Sequence, residues 1–489
     1  METAQIRSGD GFSPVGAQTR LERDSIGAMR VPAKAYYGVQ TLRAAENFDI
    51  TGRRMDPELI TALAMIKKAA AVTNRDAGSL DARKAAAIIG ACDEIIGGGL
   101  RGEFIVDPVQ GGAGTSANMN ANEVIANRAL ELLGRCRGEY MYLHPNDDVN
   151  MSQSTNDVFP TAGKLAAIRL IEKEEPGLRR LKKDLEAKAD EFGGIIKMGR
   201  TQLQDAVPVS LGQSFRAYAS MVGRGTDRML RASQELRKIN LGGTAIGTAV
   251  NVKPYYLSHI SQNLSKISGI PFSHADDLID ATQNSDSFAA VSGAVKDCAL
   301  ALSKMCNDLR LLSSGPKTGI GEINLPPRQN GSSIMPGKIN PVIPEVVTQA
   351  AFAVIGNDQT ITLAAEAGQL ELNAFEPIMF ERLFESIEML TNAVRTLDEH
   401  CIRGITANAG RCTELLSKST GTAVALCPYI GYEKSAEIAK TSLATGEPVL
   451  RLAAERNLLP GGRLRDILDP ARLAFHRPYR ELSKNMNKK

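Results

Sequence analysis

Between residues 291 and 312, apolar side chains return at alternating intervals of four and three. Val291, Val295, Cys298, Leu302, Met305, Leu309 and Leu312 form an a/d seam three heptads long, the pattern of a helix packed in a bundle. Residues 161–192, 209–238 and 343–400 also read as long helices, broken by few Gly or Pro. Pro377, after Ala374-Phe375-Glu376, is the clearest break in the last of these and should kink or end a helix. Several helices this long do not fit a compact α/β layer; they predict a mainly α fold built on extended helices. Strand signals are weak and short, as around residues 247–253.

The pattern divides the chain into three. Residues 1–153 are expected to form an N-terminal mixed, mostly helical domain with Gly-rich punctuation, Gly97-Gly98-Gly99 and Gly111-Gly112 among it. Its first 20 residues are polar and read as a mobile leader. Residues 154–409 form the long-helix domain. Near Thr406-Ala407-Asn408-Ala409-Gly410 the composition turns loop-like, and residues 410–489 predict a small helical domain. At 489 residues the chain exceeds the usual single-domain size and can bury most of its surface without staples.

Charge narrows the function. The 58 basic and 55 acidic side chains leave a net +3, which gives no support for nucleic acid or membrane as the main partner. Lys484, Lys488 and Lys489 read as a solvated tail. Seven Cys, at 92, 136, 298, 306, 401, 412 and 427, are widely spaced and without a CxxC pair. They argue against a disulfide framework or zinc ribbon and for a reducing compartment. The first residues lack the apolar core of a signal peptide, and no apolar run reaches 18 residues, so a cytoplasmic location is expected.

Four polar segments could carry chemistry. Gly111-Gly112-Ala113-Gly114-Thr115-Ser116-Ala117-Asn118 offers backbone N–H groups and two hydroxyls, suited to a small carboxylate, but lacks the Gly-Lys-Ser/Thr of a P-loop and the third Gly of a dinucleotide turn. An ordinary tight turn explains it equally. His144-Pro145-Asn146-Asp147-Asp148-Val149-Asn150, then Ser152 to Asp157, is a run of short polar side chains before a helix. It either caps that helix or aims hydroxyls and amides at an anion. Gly199-Arg200-Thr201-Gln202-Leu203-Gln204-Asp205-Ala206 interrupts a helical pattern, as a solvated loop would. Asn330 to Pro341 joins two long helical regions, with Gly331 and Gly337 around Ser332 and Ser333, then Lys338 and Asn340. Such a loop can close to bring a hydroxyl, a cation and an amide to one substrate; a flexible linker is the alternative. The five His are far apart, with no HExxH, and no Gly-x-Ser-x-Gly elbow occurs.

Together these segments resemble the aspartase/fumarase superfamily. Gly331-Ser332-Ser333-Ile334-Met335-Pro336-Gly337-Lys338-Ile339-Asn340 matches its signature, and the resemblance runs from Arg20-Leu21-Glu22-Arg23-Asp24 to about residue 475. Cys306 to Pro316, Glu322-Ile323-Asn324-Leu325-Pro326 and Asn340 to Val347 look like its aspartase rather than its fumarase members. The resemblance implies a three-domain fold and a homotetramer with a central 20-helix bundle, five long helices from each subunit. It implies active sites assembled from three subunits, and reversible deamination of L-aspartate to fumarate and ammonia.

Carried over by motif, Ser332 is the general base, and Lys338 and Asn340 hold the α-carboxylate. Thr115, Ser154, Thr155 and Ser333 bind the β-carboxylate, and Asn156, Thr201 and Gln202 surround the amino group. His144 matches a residue of an accessory anion site in fumarases. Glu345 is either a partner of Lys338 or a surface residue. No cofactor is required, and activation by a divalent cation is left open. Fumarases, and some aspartases, have His where this chain has Gln202. Aspartate's amine is already an ammonium near pH 7, so its departure needs less from an acid than loss of water from malate. A fumarase and a catalytically silent relative are the competing readings; the failed Gly patterns weigh against a nucleotide-binding protein.

Overall fold

The structure, a computed structural model, describes residues 18–475. The polar leader up to residue 17, His476 and the basic tail lie outside them. Among the described residues there are seventeen α-helices and four sheets of two short strands each. The chain is mainly α. Its contacts divide it into two units, one made of residues up to Glu172, Met229–Ala294 and Gly356–Glu388, the other of Lys173–Arg228, Val295–Ile355 and residues from Met389 on.

Five helices are long: Thr155–Glu191 with 37 residues, Leu211–Ala232 with 22, Asp286–Leu312 with 27, and Val342–Glu366 and Glu376–His400 with 25 each. The predicted seam holds. Val295, Cys298, Leu302, Met305 and Leu309 are all buried in the second unit, whose core also stacks Phe192 edge-on to Phe215. In the same unit Ala423, Leu426, Ile438, Val449, Ala453 and Leu464 build a separate small core from short helices.

The first unit centres on aromatic rings. Phe380 packs against Phe159 at 5.1 Å and Phe288 at 4.8 Å between centroids. Gly163 makes room for it, since a β-carbon there would lie 2.4 Å from the Phe380 ring. The helix Pro57–Asp76 starts where Asp56 accepts from the Glu58 N–H and Pro57 fills the first turn; Asp81 caps Ala82–Ile96 through the N–H groups of Arg83 and Lys84.

Three expectations need correction. Residues 343–400 are two helices, and Pro377 lies in the first turn of the second instead of ending the first, because proline's missing N–H costs nothing there. The break is made by Asn373, whose amide donates to the Ala364 and Ala365 carbonyls while its oxygen accepts from the Phe375 N–H. The 209–238 helix stops at Ala232. No strand forms at 247–253, where Gly247, Ala249 and Asn251 all take positive φ, which breaks a strand's pleat.

Glu376, 3 % exposed at the head of its helix, is pushed up to about 8 by burial, against the opposing pull of Lys164. The folded state therefore holds this proton more tightly than the unfolded chain. That contribution is complete below the ordinary carboxylate range and is lost as pH rises through about 8. Melting temperatures of the parent should fall relative to Glu376→Gln between about pH 5 and pH 8. Parallel curves would show that Glu376 does not titrate in this window.

Candidate active site

The first unit brings together the heads of two helices. Before Thr115–Leu132, the turn Gly112, Ala113 and Gly114 runs at φ of +85°, +52° and +86°. A β-carbon on Gly114 would lie 2.3 Å from the Phe159 ring, so only glycine lets this helix head approach Thr155–Glu191. One turn further along, Asn118 Nδ2 donates to Thr155 Oγ1 at 3.2 Å. The pairs Gly114 with Phe159 and Asn118 with Thr155 therefore place both N-terminal first turns side by side. Thr115 is exposed there, with its hydroxyl donating to the Gly112 carbonyl.

Ser154 caps the second helix in a reciprocal box. Its Oγ accepts from the Asn156 N–H at 3.3 Å, and Asp157 Oδ1 accepts from the Ser154 N–H at 2.9 Å. Asp157 Oδ2 also takes the N–H groups of Gly242 and Thr244, while Asn156 Nδ2 donates to the Ala245 carbonyl. Burial raises the Asp157 pKa to about 6 despite these bonds and despite Lys67. Burial likewise draws fully buried Lys67 down to about 7, with Asp157 and Cys92 pulling the other way. Both readings of this segment thus hold: it caps a helix, and it groups Ser154, Thr155 and Asn156 beside Asn118.

His144 makes contacts of a different kind. Its Nδ1 accepts from the N–H groups of Asn146 and Asp147 at the head of a π-helical turn, Pro145–Val149. It lines a cavity of about 480 Å³ with Arg23, Arg43, Gln40, Ser116 and Asn146.

The second unit carries the remaining site residues on two devices. Residues 199–206, expected as a loop, instead form a β-hairpin, Ile196–Thr201 against Gln204–Ser210. Its two-residue turn puts Gln202 and Leu203 at φ of +53° and +64°, positions that favour Asn or Gly and strain other side chains. Thr201 and Gln202 stand exposed at its tip. Buried Glu322 anchors the hairpin base, 2.9 Å from Arg200 Nη1 and 2.9 Å from Lys197 Nζ. Glu322 is itself fixed through its backbone to Leu312 and Asn408.

The other device is the 331–340 loop. The Gly331 N–H donates to the Lys338 carbonyl, and Asn340 Nδ2 to the Gly331 carbonyl, closing the loop at its neck. Gly331 is needed there, since a β-carbon would meet the Lys338 carbonyl oxygen at 2.5 Å. Ser332 Oγ accepts from the N–H groups of Ile334 at 3.2 Å and Met335 at 3.1 Å. Two donors on one hydroxyl oxygen lower the cost of negative charge there. Ser333 and Lys338 are exposed. Glu345, in the first turn of Val342–Glu366, faces Arg310 at 3.9 Å.

Each unit thus gathers part of the expected set: Thr115, Ser154, Thr155 and Asn156 in one; Thr201, Gln202, Ser332, Ser333, Lys338 and Asn340 in the other. Lys67, Asn150 and Glu322 were not singled out from the sequence. Lys67 had a signal, a lysine inside the apolar stretch Leu63-Ala64-Met65-Ile66-Lys67-Lys68-Ala69-Ala70-Ala71. Among the described residues no group of three or more His, Cys, Asp or Glu could hold a metal ion, and no helix is long and apolar enough to cross a membrane.

The chain is similar to known proteins over nearly its whole length. Residues 27–356 match the Lyase family, and residues 423–474 match the Fumarase C C-terminus. The chain is 55 % identical to the aspartate ammonia-lyase of Pseudomonas aeruginosa over 462 residues, 94 % of this chain and 97 % of that one. A fumarate lyase:delta crystallin structure from Brucella melitensis, bound to cobalt, superposes with a TM-score of 0.91 at 51 % identity, over 94 % of this chain and all of that one. A class II fumarase from Schistosoma mansoni gives the same TM-score at 35 % identity, with the same shares covered.

Proposed function

This chain belongs to the aspartase/fumarase superfamily of lyases, and from that premise we propose how its residues share out the chemistry. The reaction is the reversible deamination of L-aspartate to fumarate and ammonia, a carbon–nitrogen lyase reaction. Ser332 Oγ, as the alkoxide, takes the Cβ proton. The electron pair left behind moves into the β-carboxylate, giving an aci-carboxylate with an added negative charge. It then returns to form the Cα–Cβ double bond as the C–N bond breaks, and the ammonium leaves as ammonia without needing an acid. Gln202, which cannot act as one, is compatible with that departure and would serve malate poorly.

The observation that carries the base assignment is the pair of N–H groups donating to Ser332 Oγ. Ser154, Thr155 and Ser333 donate to the β-carboxylate, where preorganised hydroxyls count most as charge develops, and Thr115 joins them by turning its hydroxyl from the Gly112 carbonyl. Lys338 and Asn340 hold the α-carboxylate, and Asn156, Thr201 and Gln202 surround the amine. Glu345 supports the loop from beside Arg310, and His144 serves an accessory anion site. The ion-stabilising work falls to these donors, so we assign no required cofactor; a divalent cation enters only as an activator.

We further propose a homotetramer whose active sites draw on three subunits. Val346, Phe352 and Leu363 on the Val342–Glu366 helix are 48 %, 63 % and 60 % exposed, and Asp358, buried, is the sole charge between residues 346 and 365. An uncharged face of that length asks for a partner helix. Seven unpaired cysteines, five of them buried, suit the reducing cytoplasm.

Purified enzyme in a chelating buffer should form fumarate, followed by its ultraviolet absorbance, from aspartate and not from malate. Comparable turnover of malate would favour a fumarase, and inertness toward both a silent relative.

A further inference from the structure

Thr155 can serve an anion only if its hydroxyl hydrogen points at it. A threonine hydroxyl both donates and accepts, and which it does is set by its neighbours. Here Asn118 Nδ2 donates to Thr155 Oγ1 at 3.2 Å, which leaves the Thr155 hydrogen to be given elsewhere. The direction of the Asn118 amide therefore matters to the site.

That direction traces back to one buried lysine. Lys67, fully buried on the Pro57–Asp76 helix, donates from Nζ to Asn150 Oδ1 at 2.7 Å. The amine carries hydrogens to donate in either protonation state, and Asn150 turns its oxygen toward them. Asn118 Nδ2 and Asn122 Nδ2 then both donate to the same Asn150 oxygen, each at 3.2 Å. Asn150 is held at its other end as well, with Nδ2 donating to the Gln153 carbonyl.

The arrangement has a visible cost. Asn118 and Asn122 are 1 % and 0 % exposed, and their Oδ1 atoms have no hydrogen-bond partner among the described residues. Buried acceptors are rarely left so. Lys67, donating to Asn150, holds the network in the sense that leaves them open.

We propose that Lys67 is a positioning residue: through Asn150 and Asn118 it fixes Thr155 as a hydrogen-bond donor toward the substrate's β-carboxylate. The inference rests on the reading above that Thr155 binds that carboxylate. Lys67 does not touch the substrate. It sets the sense of a chain of three hydrogen bonds, Lys67 to Asn150, Asn118 to Asn150, and Asn118 to Thr155.

The test is a double-mutant cycle read by calorimetric binding of succinate, an unreactive dicarboxylate, to the purified enzyme. Thr155→Val and Lys67→Met should each weaken succinate roughly 10- to 100-fold, the loss of a hydrogen bond to a charged group. The double variant should be no weaker than Thr155→Val alone, because Lys67 acts only through that hydroxyl. A Lys67→Met loss that persists in the Thr155→Val background, or Lys67→Met binding within twofold of the parent, overturns the proposal. Full binding by Thr155→Val would instead overturn the assignment of Thr155 to the carboxylate. If Lys67→Met does not fold, Asn118→Asp answers the same question. Its carboxylate accepts the Thr155 proton and reverses the chain, so it should bind succinate as weakly as Thr155→Val. Parental affinity in Asn118→Asp would refute the proposal.

Discussion

Ser332→Ala should lose roughly 10²- to 10⁴-fold in kcat for aspartate, the range supplied by a positioned proton acceptor, while its succinate affinity stays within a few-fold. The split follows from the geometry. Ser332 Oγ is the oxygen that Ile334 and Met335 N–H groups prepare for negative charge. The carboxylate contacts come from other side chains, so removing Ser332 spares binding and stops proton transfer. Ser333, exposed beside it, should yield a binding defect when changed to alanine. Near-parental turnover in Ser332→Ala, with activity abolished in Ser333→Ala, would move the base to the neighbouring residue.

Glu322→Ala should cost about 3 kcal/mol of stability, the scale for stripping one partner from a buried ion pair. Glu322 is 0 % exposed, and its two cationic partners, Lys197 and Arg200, are themselves largely covered. Removing the carboxylate leaves two covered charges facing each other at the root of the hairpin. Thr201 and Gln202 hang from that root by one residue, and the tip already carries two strained backbone positions. The Michaelis constant for aspartate should therefore rise along with the loss in denaturant stability. A variant as stable as the parent in urea would mean that solvent reaches these charges and the anchor is slight.

The long helices were legible because their cores repeat. Val295, Cys298, Leu302, Met305 and Leu309 lie on one stripe, and burial followed that stripe residue by residue. The helix ends were less so. Pro377 carries the same local meaning at a start as at a stop, and the break depended on Asn373 reaching back nine residues to Ala364, which no periodicity encodes. The hairpin at 196–210 was missed because its turn uses Gln202 and Leu203 at positive φ, where the usual signal is Asn-Gly. Its strands are held in place by Glu322, over a hundred positions away in sequence.

The site divided in the same manner. Ser332, Lys338 and Asn340 share a loop of ten residues whose glycines and polar crowding stand out. Thr115 and Thr155 lie on two helix heads that meet where Asn118 reaches Thr155 and Gly114 faces Phe159, and the need for Gly114 emerges only when Phe159 is seen against it. Lys67 reads as a blemish in an apolar helix until its proton acceptor is found on a segment 83 residues further on.

The most direct test of the central claim, that one chain's serine meets a carboxylate gripped by other chains' hydroxyls, is subunit mixing. Ser332→Ala and Thr155→Val chains, each strongly impaired alone when aspartate is limiting, would be co-expressed with different tags and the doubly tagged hybrid isolated. Sites drawing these two residues from different copies should recover about one quarter of parental activity at equal mixing, since each site then samples the two chains independently. A hybrid as impaired as its parents would contradict the shared site, because it would mean that both residues serve the same catalytic centre from a single chain.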